Sequence, residues 1–167
     1  MTQAVKTLIT LVALVVLLGV AASWGWSALT APLPDLSSGP ACVETAVGAG
    51  QTVTPHEVTV SVLNAGRRAG LASRTMTALT GQGFNKGDSG NAPRNTPVGS
   101  AQIWTDDPGS PAVALVASRL GRVKVLQRDV TEVGVVVVVG DKFGGVRKGP
   151  ASVRATKGTT ICSPPTG

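Results

Sequence analysis

The residues of this sequence best suited to bind an anion are two adjacent arginines, Arg67 and Arg68, in the stretch VLNAGRRAGLA. They lie where an alternating apolar segment gives way to a helical pattern. A guanidinium group can hold a phosphate or carboxylate through two hydrogen bonds, and the first amides of a helix are free to donate to the same anion. The candidate anion-binding set is Asn64, Gly66, Arg67, Arg68 and Gly70. The simpler alternative is a tight turn whose glycines relieve backbone strain and whose arginines are solvated.

This loop does not match a nucleotide-binding motif. It lacks the Lys-Ser/Thr ending of a P-loop, and its glycines do not follow the GxGxxG spacing of a dinucleotide fold. The anion it could hold is therefore a phosphate or carboxylate that does not belong to a nucleotide.

No other group of residues converges on catalysis. His56 is the single histidine and stands in a loop-like TPHE segment, which is typical of a surface position. Asp106 and Asp107 could bind a cation or act as paired carboxylates, but adjacent acids before a helix usually serve the helix end. Asp141 and Lys142 follow an apolar strand and indicate a turn. We predict no catalytic residues, no metal site and no cofactor.

The two cysteines, Cys42 and Cys162, favour one disulfide. An even count with no other thiols is typical of proteins outside the cytoplasm. A metal-bound pair is disfavoured because the chain has one histidine and no second cysteine pair. Closing a loop of roughly 120 residues would stabilise the fold by about 4–5 kcal/mol in the chain-entropy model.

The N-terminal part of the chain is a long apolar run, Leu8–Trp26. Its length suffices to cross a hydrocarbon core of roughly 30 Å at about 1.5 Å per residue. We predict a short cytoplasmic tail over residues 1–6, a transmembrane helix over 7–26, and a C-terminal domain outside the cytoplasm. The alternative is a signal peptide cleaved after residues 20–22, with secretion of the remainder. The length of the run and its two terminal tryptophans favour the retained anchor.

The formal net charge of +6 favours anionic partners such as acidic wall polymers or lipid headgroups. Nucleic acid is disfavoured as a partner, because an exported domain with no aromatic residues between its basic ones lacks a stacking surface.

Beyond the apolar run, residues 27–56 are assigned to a linker or stalk that carries Cys42. Alternating and continuous apolar segments then predict strands. The predicted strands are Glu57–Asn64, a short strand starting at Phe84, Ala101–Thr105, Arg122–Gln127 and Val133–Val139. The stretch Lys86–Val98 is predicted to be largely loop.

Two helices are predicted between these strands. Gly70–Gln82 carries an apolar stripe at helical spacing and ends among glycines. The second helix has a clear start, because Ser110 can cap it and Pro111 fits its first position. Gly121 marks its end.

The order β-α-β-β-α-β(-β) predicts a small α+β sandwich, similar to the ferredoxin-like arrangement, preceded by one transmembrane helix. The valine run of the last strand indicates a strand that is central or covered on both faces. The domain is assigned to residues 57–145, and a tail over 146–167 is held back by Cys162.

Several of these motifs resemble the LytR C-terminal domain family. The resemblance covers about Glu57 to Phe143 together with the anchor. The matching residues are Asn64, Gly66, Gly70, Leu71, Ala72, Gly83, Phe84, Gly140 and Asp141. The resemblance implies a small extracytoplasmic domain of the cell envelope of Gram-positive bacteria, especially the high-GC group. Some members follow a LytR–CpsA–Psr phosphotransferase domain, whose pyrophosphate site has no counterpart here, so no transferase activity is expected.

We therefore expect a non-enzymatic, membrane-anchored envelope protein that binds peptidoglycan or its anionic polymers through the arginine pair. The alternative is a protein-interaction adaptor that organises wall-assembly enzymes and offers an edge strand for pairing.

Overall fold

The computed structural model describes residues 3–30 and 42–164. The chain divides into two units, residues 1–37 and residues 38–167, which are considered separately below. Residues 31–41, which fall in the predicted linker, lie outside the described residues.

The first unit contains one helix, α1 (Gln3–Thr30), which includes the predicted span 7–26. Its segment Val5–Trp26 is long and apolar enough to cross a membrane, with a mean hydropathy of 2.5. A signal sequence near an N-terminus passes the same test. The helix is therefore compatible with both alternatives predicted from the sequence, a membrane anchor and a signal peptide.

The described part of the second unit contains nine strands, two α-helices and a short 3-10 helix. Its strands are β1 (Val43–Val47), β2 (Thr52–Val53), β3 (Thr59–Asn64), β4 (Asn85–Asn91), β5 (Ala101–Thr105), β6 (Lys124–Gln127), β7 (Val135–Val139), β8 (Val153–Arg154) and β9 (Thr159–Ser163). Its helices are the 3-10 helix Pro55–Glu57, α2 (Leu71–Thr80) and α3 (Pro111–Leu120).

The main sheet has five strands in the order β4-β3-β7-β5-β6. β3 runs parallel to both β4 and β7, whereas β5 runs antiparallel to β7 and parallel to β6. The α+β class and the predicted order of elements are confirmed. The strand order differs from the split ferredoxin-like arrangement, because each helix here joins two strands that are direct neighbours. β7 occupies the centre of the sheet between β3 and β5, so β4 and β6 lie at the two outer edges, each beside the strand that precedes its helix.

β7 is buried on both faces, as its valine run predicts. On one face Val135, Val137 and Val139 join a core that both helices line. On the other face Val136 and Val138 pack with Leu63 and Trp104. Partly buried residues of three loops lie against this cluster: Ala65, Ala92, Val98 and Val130. The guanidinium group of Arg128 stacks over the Trp104 ring, 4.4 Å from its centroid, on that side.

The start of α3 confirms its predicted cap. The Ser110 hydroxyl accepts a hydrogen bond from the Ala112 amide at 3.3 Å, and Pro111 occupies the first turn. Gly121 follows the last residue, as predicted. The strand Ala101–Thr105 is also confirmed at both ends.

The prediction that Lys86–Val98 is largely loop is wrong for its first part, because β4 reaches Asn91. β4 is a polar edge strand, so it carries no apolar alternation. Its backbone approaches β3 closely, and a Cβ at Gly87 would lie 2.6 Å from the Ser61 hydroxyl. That hydroxyl accepts from the Asp88 amide at 2.9 Å and donates to the Val133 carbonyl at 2.6 Å.

The linker prediction for residues 27–56 is wrong from Cys42 onward, and the described part of the tail, residues 146–164, contains two strands. β1 pairs antiparallel with β9, and β2 pairs antiparallel with β8. These strands bury few side chains, among them Val47, Val53 and Ile161. Each of these strands buries at most one side chain, which is too few to produce a period-2 pattern in the sequence.

The predicted disulfide between Cys42 and Cys162 is confirmed, with a Cα–Cα distance of 5.2 Å across 120 residues of sequence. It closes the domain at the β1–β9 pair, where the first and last strands meet.

We expect the double change Cys42→Ala/Cys162→Ala to lower the free energy of unfolding by about 2–5 kcal/mol, because the unfolded chain loses its loop constraint. Urea unfolding of the oxidised wild-type chain and of the variant measures this difference. Reduced wild-type chain is the control and should match the variant. A variant within about 0.5 kcal/mol of oxidised wild type would contradict the stabilising role.

Candidate functional site

The candidate site lies where β3 and β7 end. Because these two strands are parallel neighbours, the loop after each one emerges at the same edge of the sheet. The first loop, residues 65–70, carries the arginine pair and is called the arginine loop below. The second loop begins at Gly140 and carries Asp141.

The arginine loop already binds an anion, and that anion is the side chain of Asp141. Its Oδ1 atom accepts hydrogen bonds from the backbone amides of Arg67 at 2.8 Å and Arg68 at 3.2 Å. The Arg67 Nε atom lies 4.0 Å from the other carboxylate oxygen. At that distance, with the Arg67 side chain 99% exposed, the ion pair adds little to stability. The two amide hydrogen bonds are therefore the main contact.

Asn64 braces the same loop from within. Its side-chain oxygen accepts from the Gly66 amide at 2.9 Å, and its side-chain nitrogen donates to the Arg68 carbonyl at 3.0 Å. Both halves of one amide side chain thus fix the turn. Asn64 is predicted from its sequence position to belong to the anion-binding set, but in the structure its side chain holds the loop.

Gly66 and Gly70 are required for two different structural reasons. A Cβ on Gly66 would lie 2.5 Å from Asp141 Oδ1, so a larger residue would displace the carboxylate. Gly70 has φ +70° at the N-cap of α2, a left-handed conformation that favours glycine. Glycine therefore serves the close approach at one position and the backbone conformation at the other.

The side chains of the arginines remain exposed. Arg68 lines a shallow groove of about 230 Å³ beside the first turn and a half of α2. The groove is lined by Arg68, Leu71, Arg74, Thr75, Phe143, Gly144 and Gly145. Arg74 is absent from the predicted anion-binding set because it belongs to the predicted helix. Its side chain nevertheless reaches the loop and donates to the Ala69 carbonyl at 3.1 Å. The groups available to an external anion are guanidinium groups, because Asp141 already accepts from two loop amides.

A segment after this groove covers a buried arginine. Residues 144–150 pass over α3, where the Arg147 amide donates to the Arg119 carbonyl at 2.7 Å. Arg119 is 3% exposed, and its Nη2 atom donates to the Pro150 carbonyl at 2.7 Å. Its Nε and Nη1 atoms have no hydrogen-bond partner among the described residues, and burial lowers the pKa of the guanidinium. The apolar helix pattern concealed this residue.

The opposite ends of β3 and β7 border a second, larger groove of about 370 Å³. We call it the acidic groove, because Glu44, Asp106, Asp107, Asp129 and Glu132 all line it. Its apolar lining includes Val58, Val113, Val135 and Ile161. The disulfide between Cys42 and Cys162 also borders it.

Asp107 ties the C-terminal strand to the start of α3. Its carboxylate accepts hydrogen bonds from the Thr159 hydroxyl at 2.7 Å, from Lys157 Nζ at 3.2 Å and from the Gly109 amide at 3.0 Å. The Thr159 hydrogen bond is the largest cause that lowers the pKa of Asp107 below its ordinary value of 3.8, and burial opposes it. Asp107 therefore acts as a brace between two segments far apart in sequence.

The remaining sequence candidate, His56, lies exposed in the 3-10 helix, with its ring against Gly83. The described residues contain no group of three or more histidine, cysteine or acidic side chains positioned to hold a metal ion.

Comparison with known proteins adds a family. The family model described as LytR cell envelope-related transcriptional attenuator matches residues 57–143, a segment that contains both the arginine loop and Asp141. Among solved structures, the chain is similar to the soluble domain of a conserved hypothetical secreted protein from Mycobacterium marinum, with 25% sequence identity and a TM-score of 0.48. That similarity covers 59% of this chain and 76% of the other. No curated protein matches the chain significantly.

We expect Asp141→Ala to lower the free energy of unfolding by about 1–3 kcal/mol, because the amides of Arg67 and Arg68 lose their acceptor. Asp141→Asn should lose less, since its amide oxygen can still accept. Urea unfolding measures both. The control is Lys142→Ala, an exposed neighbour that should stay within about 0.5 kcal/mol of wild type. An Asp141→Ala variant as stable as this control would contradict the bracing role.

We also expect stability to depend on the ionisation of Asp107. Because its pKa is lower in the folded chain, the unfolded chain binds more protons in acid, so the contribution is complete above the ordinary pKa and is lost as pH falls through the folded one. Urea unfolding between pH 6 and pH 3 should show a smaller acid loss in Asp107→Asn than in wild type. Thr159→Val, which removes the largest cause, should show the same trend. An unchanged acid loss in both variants would contradict this assignment.

Proposed function

The chain belongs to the LytR cell envelope-related transcriptional attenuator family, and from that premise we propose that it is a non-enzymatic envelope protein, held in the membrane by α1, that binds peptidoglycan or its attached anionic polymers. The arginine loop is the proposed contact. The observation that carries the proposal is the pair of exposed guanidinium groups on a loop that Asn64 and Asp141 hold rigid.

Rigidity favours binding by this loop. A preformed loop loses little conformational entropy when a ligand arrives, so more of the contact energy contributes to affinity. Here four hydrogen bonds from the side chains of Asn64 and Asp141 hold the backbone of the loop, and the guanidinium groups extend from it. Such groups suit the phosphates and carboxylates that repeat along an anionic polymer.

The charges around the loop support an anionic ligand. Arg67, Arg68, Arg74 and Lys142 all stand at this end of β3 and β7, and each has an exposed side chain. Asp141 supplies one negative charge among them: its carboxylate accepts from two backbone amides and lies 4.0 Å from Arg67 Nε. Its carbonyl also accepts from Arg68 Nη1 at 3.4 Å. The four cations are called the basic end below.

A binding role fits the groove better than catalysis. The described lining of the groove beside α2 contains no carboxylate, histidine or cysteine. Its one hydroxyl, on Thr75, donates to the Leu71 carbonyl at 2.8 Å within α2. The residues there can attract and hold an anion, and they do not include a nucleophile paired with a general base.

An extracytoplasmic location is part of the proposal. The disulfide between Cys42 and Cys162 supports it, because such bonds persist in oxidising compartments. The apolar segment Val5–Trp26 supplies either an anchor or an export signal. Either one would deliver the domain to the outer side of the membrane.

The edge strand β6 favours a second candidate function, that of a protein-interaction adaptor. β6 pairs only with β5 in the sheet, and its Leu126 side chain is 36% exposed. A partner strand could pair with this edge. Because β6 has four residues and carries Lys124 outward, the edge is short and partly protected, so we rank this function second.

Sedimentation of the full chain in detergent with purified cell wall tests the proposal. We expect Arg67→Ala/Arg68→Ala to lower the bound fraction about tenfold at low salt, because two phosphate or carboxylate contacts are lost. The matched control is Arg122→Ala/Arg154→Ala, which removes the same charge from exposed positions outside the loop. It should bind nearly as wild type.

Equal binding by both double variants would remove the arginine loop from the function. A parallel crosslinking arm in intact membranes separates the adaptor function: recovery of a protein partner that Leu126→Glu abolishes, with no wall binding, would assign the domain to that second function.

A further inference from the structure

We propose that this domain associates head to tail with a second copy of itself, so that the arginine loop of one copy docks into the acidic groove of the next. This inference goes beyond the proposed function, because it concerns the assembly of the protein and a groove that polymer binding does not use.

The acidic groove concentrates negative charge in a basic chain. The chain has nine acidic residues and a net charge of +6, yet five of the nine line this one groove. Lys157 pairs with Asp107, and the other four carboxylates form no ion pair among the described residues. No lysine or arginine is among the described lining residues. The groove therefore favours a cationic occupant.

The groove also has the shape and the chemistry to accept a loop. Its volume of about 370 Å³ is within the usual range for binding pockets, about 300–1,000 Å³. Val113, Val135 and Ile161 supply apolar surface beneath the carboxylates. An arginine side chain suits such a lining, because its methylene stem packs on apolar surface while its guanidinium group reaches a carboxylate.

The basic end supplies the matching partner surface. Arg67 is 99% exposed, and the backbone beneath it is held by Asp141 and Asn64. The arginine loop therefore presents exposed cations on a preorganised turn. The acidic groove and the arginine loop are complementary in charge.

The fold keeps these two surfaces apart within one copy. β3 and β7 run from the acidic groove, which Thr59 and Val135 line, to the arginine loop and Asp141. Five residues of strand span about 17 Å at about 3.3 Å per residue. That distance exceeds the Debye length of about 8 Å at physiological salt, so the two ends neutralise each other weakly. When two copies are in direct contact, the opposite charges lie closer together than the Debye length, so salt screens their attraction less.

Charge also selects the geometry of association. A two-fold contact through either surface would set guanidinium groups against guanidinium groups, or carboxylates against carboxylates. A head-to-tail contact instead pairs opposite charges and leaves one free end of each kind, so further copies can add. The structure therefore favours an open chain of domains over a closed dimer.

The test uses full-length chain in detergent micelles, studied by sedimentation velocity over a range of concentrations at low salt. Wild type should form a concentration-dependent series of dimers and larger species, and about 0.5 M salt should weaken it by about tenfold or more. The loop variant Arg67→Gln/Arg68→Gln and the groove variant Asp129→Asn/Glu132→Gln should each associate at least about tenfold more weakly.

Mixing the two variants is the decisive measurement. The loop variant retains an intact groove and the groove variant retains an intact loop, so an equal mixture should recover a 1:1 dimer that does not grow. All chains carry the same α1, so association through that helix would persist in each variant alone and would contradict the proposal. A mixture that stays monomeric would also overturn it.

A lysine-rich peptide tests the alternative that the acidic groove binds a basic partner other than a second copy of this chain. If the peptide binds the groove while wild-type chain stays monomeric, the groove serves a basic partner and the proposal is wrong. The groove variant separates this inference from the proposed function, because it leaves the arginine loop intact. Loss of wall sedimentation alone would sink the proposed function and leave self-association standing.

Discussion

The burial of β7 on both faces is the constraint on which the rest of this domain depends. Five consecutive valines cannot lie on an exposed edge, so β7 takes the centre of the sheet between β3 and β5. One face is then covered by the two helices, and the other is covered by loops that pack on Trp104. A central strand also shares both of its backbone edges with neighbours, which links the two helical crossovers into one sheet.

The two ends of β7 carry the two surfaces of interest. At its carboxyl end Gly140 leaves no space for a side chain beside the Val98 carbonyl, and Asp141 follows directly against the arginine loop. At its amino end Gly134 packs against the Thr59 carbonyl, and Glu132 lines the acidic groove. Burial of its valine side chains places β7 at the centre of the sheet. As a consequence, Asp141 reaches the arginine loop at one end of the strand, and Glu132 joins the acidic groove at the other.

The arginine loop illustrates how local and distant residues share the work of one site. Asn64 fixes the loop through hydrogen bonds to residues two and four positions away, so its bracing role involves the local turn alone. Asp141 fixes it from more than 70 residues away, and only the parallel pairing of β3 and β7 explains how it arrives. The same logic holds for Asp107 and Thr159, which brace segments 52 residues apart.

The sequence by itself determined the elements whose signals are local and periodic. These include the apolar N-terminal run, the Ser110–Pro111 start of α3, the strand Ala101–Thr105 and the central valine strand. It also determined the pairing of two cysteines, because no other thiol competes. The tertiary structure alone decided that polar β4 is a strand, that residues 42–56 pair with the tail, and that Asp141 occupies the loop amides. Each of these rests on backbone or single side-chain contacts between distant segments, and such contacts leave no periodic pattern in the sequence.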